Sequence, residues 1–599
     1  SNLGNDVSGN DNDFTNSGLV ATDQVNDTPT KNYPTWATNV GRYASGVGPA
    51  NTISNGNLDL VGGESAYSFC DINFTPLTSG KWYWTQLSNT IYDANLTLGI
   101  VNEANRSNGI TSQSYYTSGV GAWSLGWAGP PTPDQLNFSI GGGSNVLGDL
   151  SPVPIAGAQI VMAVDIDNLK IWAGWWDNNN DNLYWMASDA SFSSANVDVP
   201  ATGTDETASL VGTGFTLFTQ NYGTRGGVID FGSVNGGILS NITQPSGFLE
   251  LNTANLPAPT ILDGTTHFQT TLYTGDGSVR NIDQTGNSTF QPDWVWIKNR
   301  SQADEHKLID AARGVTKDLS SDSGAIETTD ANGLTSFDSD GFGLGTGANG
   351  YNDNLENFVA WQWLIGGGAG SANAVGSITT TTTTVNTTAG ISISTYTGTG
   401  ANATVGHGLG IVPKFIIVKN MDVSQPGVAY HVGQDATAPA DYYLQMPSPD
   451  AASNSVTMWN DTIPTSTVFS LGTSAYSNQS SQTMLAYCFA DVEGFSKFGR
   501  YTGNGLPSGT YVYTGFKPAF IIIKGNAGSR NWIMYDSQRS PHNEIDDQLY
   551  TQSTAAETTG SEEIDFLSNG FKCRTADAYI NASSNSYMYI VFAEYPFGG

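Results

Sequence analysis

"YTGNGLPSGTYVYTGFKPAFIIIK", residues 501–524, is written three times in this chain with variations. Residues 396–419 read "YTGTGANATVGHGLGIVPKFIIVK", and residues 273–298 read "YTGDGSVRNIDQTGNSTFQPDWVWIK". Anchored on Pro292, Pro413 and Pro518, the aromatic two places on is Trp294, Phe415 or Phe520. β-Branched residues follow at the third and fifth places, and Lys298, Lys419 or Lys524 closes the run. Trp296, Ile417 and Ile522 lie between them, so a strand here is apolar on both faces. Such a strand belongs in the middle of a packed sandwich, and proline at its first position forfeits no ladder bond. A shared ending follows, "SFDSDGFGL" (336–344) and "DFLSNGFKC" (565–573), weaker in the middle copy as "TVFSLGT" (467–473). Each copy then closes with an apolar run, "FVAWQW", "MLAYCFA" or "YIVFAEY". A period of roughly a hundred residues is a whole domain, not a solenoid repeat of 20–50.

Outward from the repeats, residues 46–250 show short apolar runs such as "GKWYWTQL" (80–87), "QIVMAVDID" (159–167) and "KIWAGWW" (170–176), bounded by turn residues. They are strand-length and keep no helical period, which predicts an antiparallel sandwich. The expected fold class is all-β: tandem antiparallel β-sandwich (jelly-roll or concanavalin-like) domains in a modular, elongated chain. The expected organisation is an extended lead-in at 1–45, a sandwich at 46–250, and repeats at 267–368, 391–497 and 498–599. A Thr-rich linker at 369–390 joins the first two repeats, and its β-branched residues make it a stiff spacer or an added strand.

Composition excludes several function classes. Of 599 residues only 13% are charged, yet the formal net charge is −32. That balance opposes nucleic-acid binding, which needs clustered Lys and Arg. With 38% hydrophobic and 11% aromatic residues the chain is not disordered. Cys70, Cys488 and Cys573 are too few for a disulfide framework. No apolar stretch reaches the length of a membrane span, so membrane insertion is not expected. The first residues have no signal-peptide pattern and no initiator Met, so the chain is expected to begin part-way through a longer protein.

The candidate sites are few. His267, His306, His407, His431 and His542 are not spaced for a metal. His306 and Asp310 lack a nucleophile setting, so a histidine on a strand face is expected rather than a triad. "DNNNDN" (177–182) alternates Asp177, Asn179 and Asp181 as calcium ligands would, but lacks the turn glycine and the closing glutamate. It is a weak calcium candidate, and no other cofactor is expected. Trp82 and Trp84 share one strand face and are expected in a core. Trp175 and Trp176 face opposite ways, so one of them is expected outside it. With Trp185, Asp177 and Asp181 they form the candidate glycan or receptor contact. Asp165 and Asp167 share a face, but at a hairpin start, where acidic residues serve turns; no catalytic residue is assigned and no enzyme activity is expected.

"GKWYW" (80–84) with "IVMAVDIDNLKIWAG" (160–174) resembles a SPRY-type, concanavalin-like β-sandwich. "SGNDNDFTNSGLVATDQVNDTPTKNY" (8–33), "TTDANGLTSFDSDGF" (328–342) and "AYCFADVEGFSKFGRYTGNG" (486–505) resemble modular virion proteins of marine bacteriophages, particularly tail-fibre-like chains. The resemblance implies a structural virion protein, a tail fibre binding host surface glycan or protein. It also implies a homotrimer, other virion proteins as partners and a place on the virion exterior. A capsid decoration or vertex appendage and a bacterial surface adhesin are the alternatives.

Overall fold

The computed structural model describes residues 259–347, 349–507, 509–526 and 528–596. Before them it describes mainly separate segments, from the strand Trp36–Tyr43 to the strand Leu249–Glu250. The chain divides into two compact units, one ending at Pro257 and one beginning at Ala258. Both are built from antiparallel sheets, so the tandem-sandwich fold class holds.

The first unit carries a seven-stranded and a nine-stranded sheet. Its lead-in is not wholly outside the fold, because Trp36–Tyr43 pairs with Tyr67–Ile72. In the larger sheet, Lys81–Ser88, Gln159–Asp165, Lys170–Asp177 and Asn182–Met186 lie side by side. The hairpin turn after Asp165 is fixed by the residues that carry the SPRY-like pattern. Asp165 accepts from the Asn168 amide and side chain and pairs with Lys81 at 3.0 Å, while Asp167 accepts from the Gly80 amide.

In the second unit each repeat forms the same four-stranded array, in the spatial order entry, closing, proline-led and return strand. The entry strands are Phe268–Thr274, Ile391–Thr397 and Ser496–Thr502. The closing strands are Asn357–Trp363, Thr483–Phe489 and Ser586–Pro596. The proline-led strands are Trp294–Asn299, Phe415–Asn420 and Phe516–Gly525, and the return strands Lys307–Asp310, Gly427–His431 and Trp532–Asp536. The Thr-rich segment is not a free linker: Thr382–Asn386 pairs with Ile391–Thr397 as an added edge strand of the second array.

The two-faced proline-led strand now has a cause. Val295 and Ile297 pack within their own repeat against Tyr273, Phe342 and Phe358. Ile416 and Val418 do the same against Tyr396 and Phe469. The opposite faces, bearing Trp294 and Trp296, Phe415 and Ile417, Phe520 and Ile522, enter one core shared by all three repeats. Trp294 stacks on Tyr487 at 4.8 Å, Phe489 meets Phe592 at 6.2 Å, and Phe520 meets Trp361 at 5.4 Å. These contacts join first to second, second to third and third to first, so the repeats form a closed ring rather than separate domains. The last residue of each return strand repeats the pattern at the seams. Asp310 accepts from Tyr487 at 2.7 Å, Asp536 accepts from Trp361 at 3.1 Å, and His431 donates to the Tyr589 carbonyl at 3.1 Å. Each pairs with the closing strand of the next repeat around the ring.

"YTGxG" is a latch. The hydroxyls of Tyr273, Tyr396 and Tyr501 donate to the carbonyls of Tyr351, Ser477 and Ile580 at 2.6, 2.6 and 2.7 Å. The next residue in each case is a fully buried asparagine: Asn352, Asn478 or Asn581. Its carbonyl accepts the amide of Asp276, Thr399 or Asn504, and its NH2 donates to Ser278, Ala401 or Leu506. A Cβ on the first glycine of the motif would lie 2.2, 2.2 or 2.3 Å from a carbonyl oxygen opposite. The second glycine has φ of +67°, +71° or +69°, which side chains resist.

Two outcomes follow. Trp294→Ala, confined to the first repeat, lowers the stability of the whole second unit by about 3–5 kcal/mol. Calorimetry then shows a single transition shifted downward, whereas independent domains would leave two transitions in place. Asn581→Ala strands several buried backbone groups and costs about 3 kcal/mol in urea unfolding.

Candidate functional site

The tryptophans of the first unit whose side chains are described stand in its core. Trp82 and Trp84 are buried as expected, but so are Trp172, Trp175, Trp176 and Trp185. The expectation that Trp175 or Trp176 lies outside the core is therefore corrected. Their rings do face opposite ways, and both faces are covered. Trp176 joins Tyr83, Val161, Trp172 and Trp185 under Phe248, which meets Trp172 edge-on at 5.9 Å. On the other face Trp175 stacks on Tyr184 at 5.1 Å, and Tyr184 is the half-buried aromatic of that pair. The segment bearing Phe248 gave no sequence signal that it folds back over this sheet. Asp177 lies opposite Asn182 at the hairpin end, while Asn179 and Asp181 lie outside the described residues.

Three histidines of the second unit, His306, His407 and His431, are structural. His306 accepts the Trp296 indole N–H through Nδ1 at 2.8 Å and donates through Nε2 to the Tyr550 carbonyl at 3.1 Å. His431 accepts the Gly433 amide and donates to Tyr589, and His407 uses both nitrogens in the same way. Burial first, and then the neighbouring Lys298 charge, push the His306 pKa down to about 3; burial holds His431 at about 4. Asp310 does not orient His306. It pairs with Arg313 at 2.6 Å and with Tyr487.

The lysine that ends each proline-led strand is buried. Lys298 Nζ donates to the carbonyls of Asn299 and Gln302, Lys419 to Gln425, and Lys524 to Gly525 and Pro449. Burial lowers all three to about 8. Lys298 holds a loop of its own repeat, Lys419 and Lys524 also reach Ser323 and Pro449 across a seam, and none offers a reactive atom to solvent.

Exposed, chemically varied side chains stand on the latched loops. Their tips read "DGSV" (276–279), "TGAN" (399–402) and "NGLP" (504–507) on an unchanging anchor. Val279 and Leu506 are exposed there, as is Leu355 beside the first latch. Next to that latch, carboxylate oxygens of Asp304, Asp353 and Glu356 lie within 4.8 Å of one another, and Asn299 donates to Asp304 and Glu356. Three carboxylates suit a hard divalent cation. In the second repeat Gln425 and Gln479 stand at the positions of Asp304 and Asp353 and bond to each other at 3.1 Å. Sequence reasoning missed this group, because its members come from two loops about fifty residues apart. No helix among the described residues is long and apolar enough to cross a membrane.

Residues 263–596 match the family model described as "Domain of unknown function (DUF7483)", more than half of the chain. No curated protein sequence matches it. Among solved structures the chain is similar to the SPRY domain of human HERC1, at 12% identity over 30% of this chain and 91% of that one, with TM-score 0.19. It is similar to the basic winged bean lectin with Tn-antigen, at 10% identity over 32% and 88%, with TM-score 0.20. It is also similar to the carbohydrate-binding module CBM66 from Bacillus subtilis, at 7% identity over 33% and 94%, with TM-score 0.18.

The lysine geometry gives a direct check. In 13C NMR of the intact chain, three Lys Cε resonances should titrate near pH 8, well below the model-peptide value of about 10.4. Each Lys→Met variant should remove one of them.

Proposed function

We propose that this chain, which belongs to the family described as a domain of unknown function (DUF7483), is a non-catalytic binding protein. Its role is structural and adhesive, and its ligand is a host surface glycan or protein. Within that reading it is an exterior component of a bacteriophage virion, a tail fibre in particular, as the sequence resemblance implies.

One observation carries the adhesive part. A single sandwich pattern is used three times with invariant buried anchors, while the exposed tips held by those anchors differ in chemistry. A rigid frame that varies only at its loops suits recognition rather than turnover. The carboxylates that could have served catalysis have other work: Asp165 and Asp167 hold a hairpin turn, and Asp310 holds a seam. The ring within one chain also supplies the threefold packing that a fibre obtains by assembling three chains.

Labelled protein should bind host cells, and replacing residues 504–507 with "TGAN" should change that binding several-fold without changing the melting temperature. Periodate treatment of the cells should abolish it if the ligand is glycan. Release of reducing sugar from host polysaccharide would refute the non-catalytic reading. Antibody labelling of virions with no signal on any appendage would refute the tail assignment.

A further inference from the structure

The smaller sheets of the first and second repeats end differently at one edge. In the first repeat that edge is the strand Arg280–Asp283, paired on its other side with Gly341–Leu344. The Gln284 N–H donates to the Asp340 carbonyl, so by antiparallel alternation the main-chain groups of Asn281 and Asp283 point away from the sheet. Both residues are exposed, and those N–H and C=O groups meet no partner among the described residues. Arg280 does not screen them. Its guanidinium turns back to the Thr274 carbonyl at 2.8 Å and to Asp276 at 3.7 Å.

The second repeat shows what such an edge takes. Its matching strand is Ala403–Gly406, where Val405 is buried as Ile282 is in the first. There the chain's own Ser377 and Ile378 lie alongside. The Ile378 N–H donates to the Thr404 carbonyl at 3.0 Å, and Ile378 joins Val405 in a parallel bridge. The Ser377 N–H donates to Thr404 Oγ1 at 2.9 Å, and the Thr404 N–H donates to Ser377 Oγ at 2.8 Å. Ile378 completes the grip by burying its side chain in that repeat's core. No described residue does this for Asn281 and Asp283.

We propose that the Arg280–Asp283 edge is a docking site for an extended segment of a partner protein, bound as an added parallel strand. Main-chain bonds supply the attachment, and side chains at the edge choose the guest. Asn281 stands in the place of Thr404 and offers Oδ1 where Thr404 offers Oγ1, so the guest carries a small polar residue followed by an aliphatic one, as Ser377–Ile378 does. Asp283 stands in the place of Gly406, and its exposed carboxylate makes no ion pair among the described residues. The guest residue beside it is therefore basic, a choice that the net charge of −32 favours for the approach of a partner. An open edge left unused is a liability for aggregation, which a resident guest removes. The adhesive role of the loop tips neither requires this edge nor falls with it.

Titration of the intact, deuterated and 15N-labelled chain with the peptide NAVGSITT, the sequence of residues 373–380, tests this by TROSY NMR. The Asn281 and Asp283 amides should shift and saturate at millimolar peptide. Thr379→Lys in the peptide should tighten binding about 3-fold at low salt, the scale of an exposed ion pair. N-methylation of the peptide isoleucine removes the N–H that would meet the Asn281 carbonyl and should abolish both shifts. Asp283→Pro in the chain removes the N–H that would meet the isoleucine carbonyl and should leave the Asn281 amide unmoved. If that variant does not fold, the N-methylated peptide decides alone. No shift at these two amides, or shifts that survive N-methylation, would overturn the proposal. So would dimerisation of the chain in sedimentation that Asp283→Pro removes, because the occupant would then be a second copy.

Discussion

The second unit depends on one constraint: a strand apolar on both faces must be covered on both. Inside a repeat, the side bearing Val295 and Ile297 is covered by the repeat's own smaller sheet. The side bearing Trp294 and Trp296 is turned to the other two repeats. Left in water, two indoles and the neighbouring Trp361 and Trp363 would expose several hundred square ångströms of apolar surface. The other two repeats have the same surplus, and three such faces turned inward satisfy one another. The ring is thus the structural answer to a hydrophobic excess that no single sandwich could bury.

Closing that ring places polar groups where water cannot reach, and the seams show how each is satisfied. Carboxylates meet arginine and a ring donor, as at Asp536, which takes Arg539 at 2.6 Å and the Trp361 indole. Arg300 crosses to Glu557 with two bonds, the planar geometry in which arginine pairs best with a carboxylate. Lysines bond to backbone carbonyls instead, and burial makes their charge costly there, which is why all three are lowered alike. Charge at these seams specifies which surfaces meet; the aromatic core supplies most of the cohesion.

Much of this was legible in the sequence, and the exceptions have physical reasons. The period-two pattern with an apolar middle residue gave the strand, its position and its two buried faces. It could not say that the second face is buried by other repeats, because alternation reports burial and not what does the burying. The repeated "YTGxG" was legible as the start of each copy. Its asparagine partner lies about eighty residues on, at Asn352, Asn478 and Asn581, in segments that share little else. The tryptophan pair failed for a similar reason. Opposed side chains at Trp175 and Trp176 do imply two faces, but both are buried, and a return segment carrying Phe248 covers the Trp176 face.

Three copies in one chain differ from three identical chains in a way that bears on function. In a homotrimer every seam must be the same, so a change that weakens one weakens all three. Here each copy drifts alone. The return-strand position held by Asp310 and Asp536 is His431 in the second copy, where a backbone acceptor at Tyr589 stands across the seam in place of a ring donor. Where the first latch has carboxylates, the second has a pair of bonded amides. The buried anchors stayed because a lost partner in a core costs more than a lost contact at the surface. Divergence therefore collects at the seams and the loop tips. There the chain can acquire a new contact without surrendering the shared core.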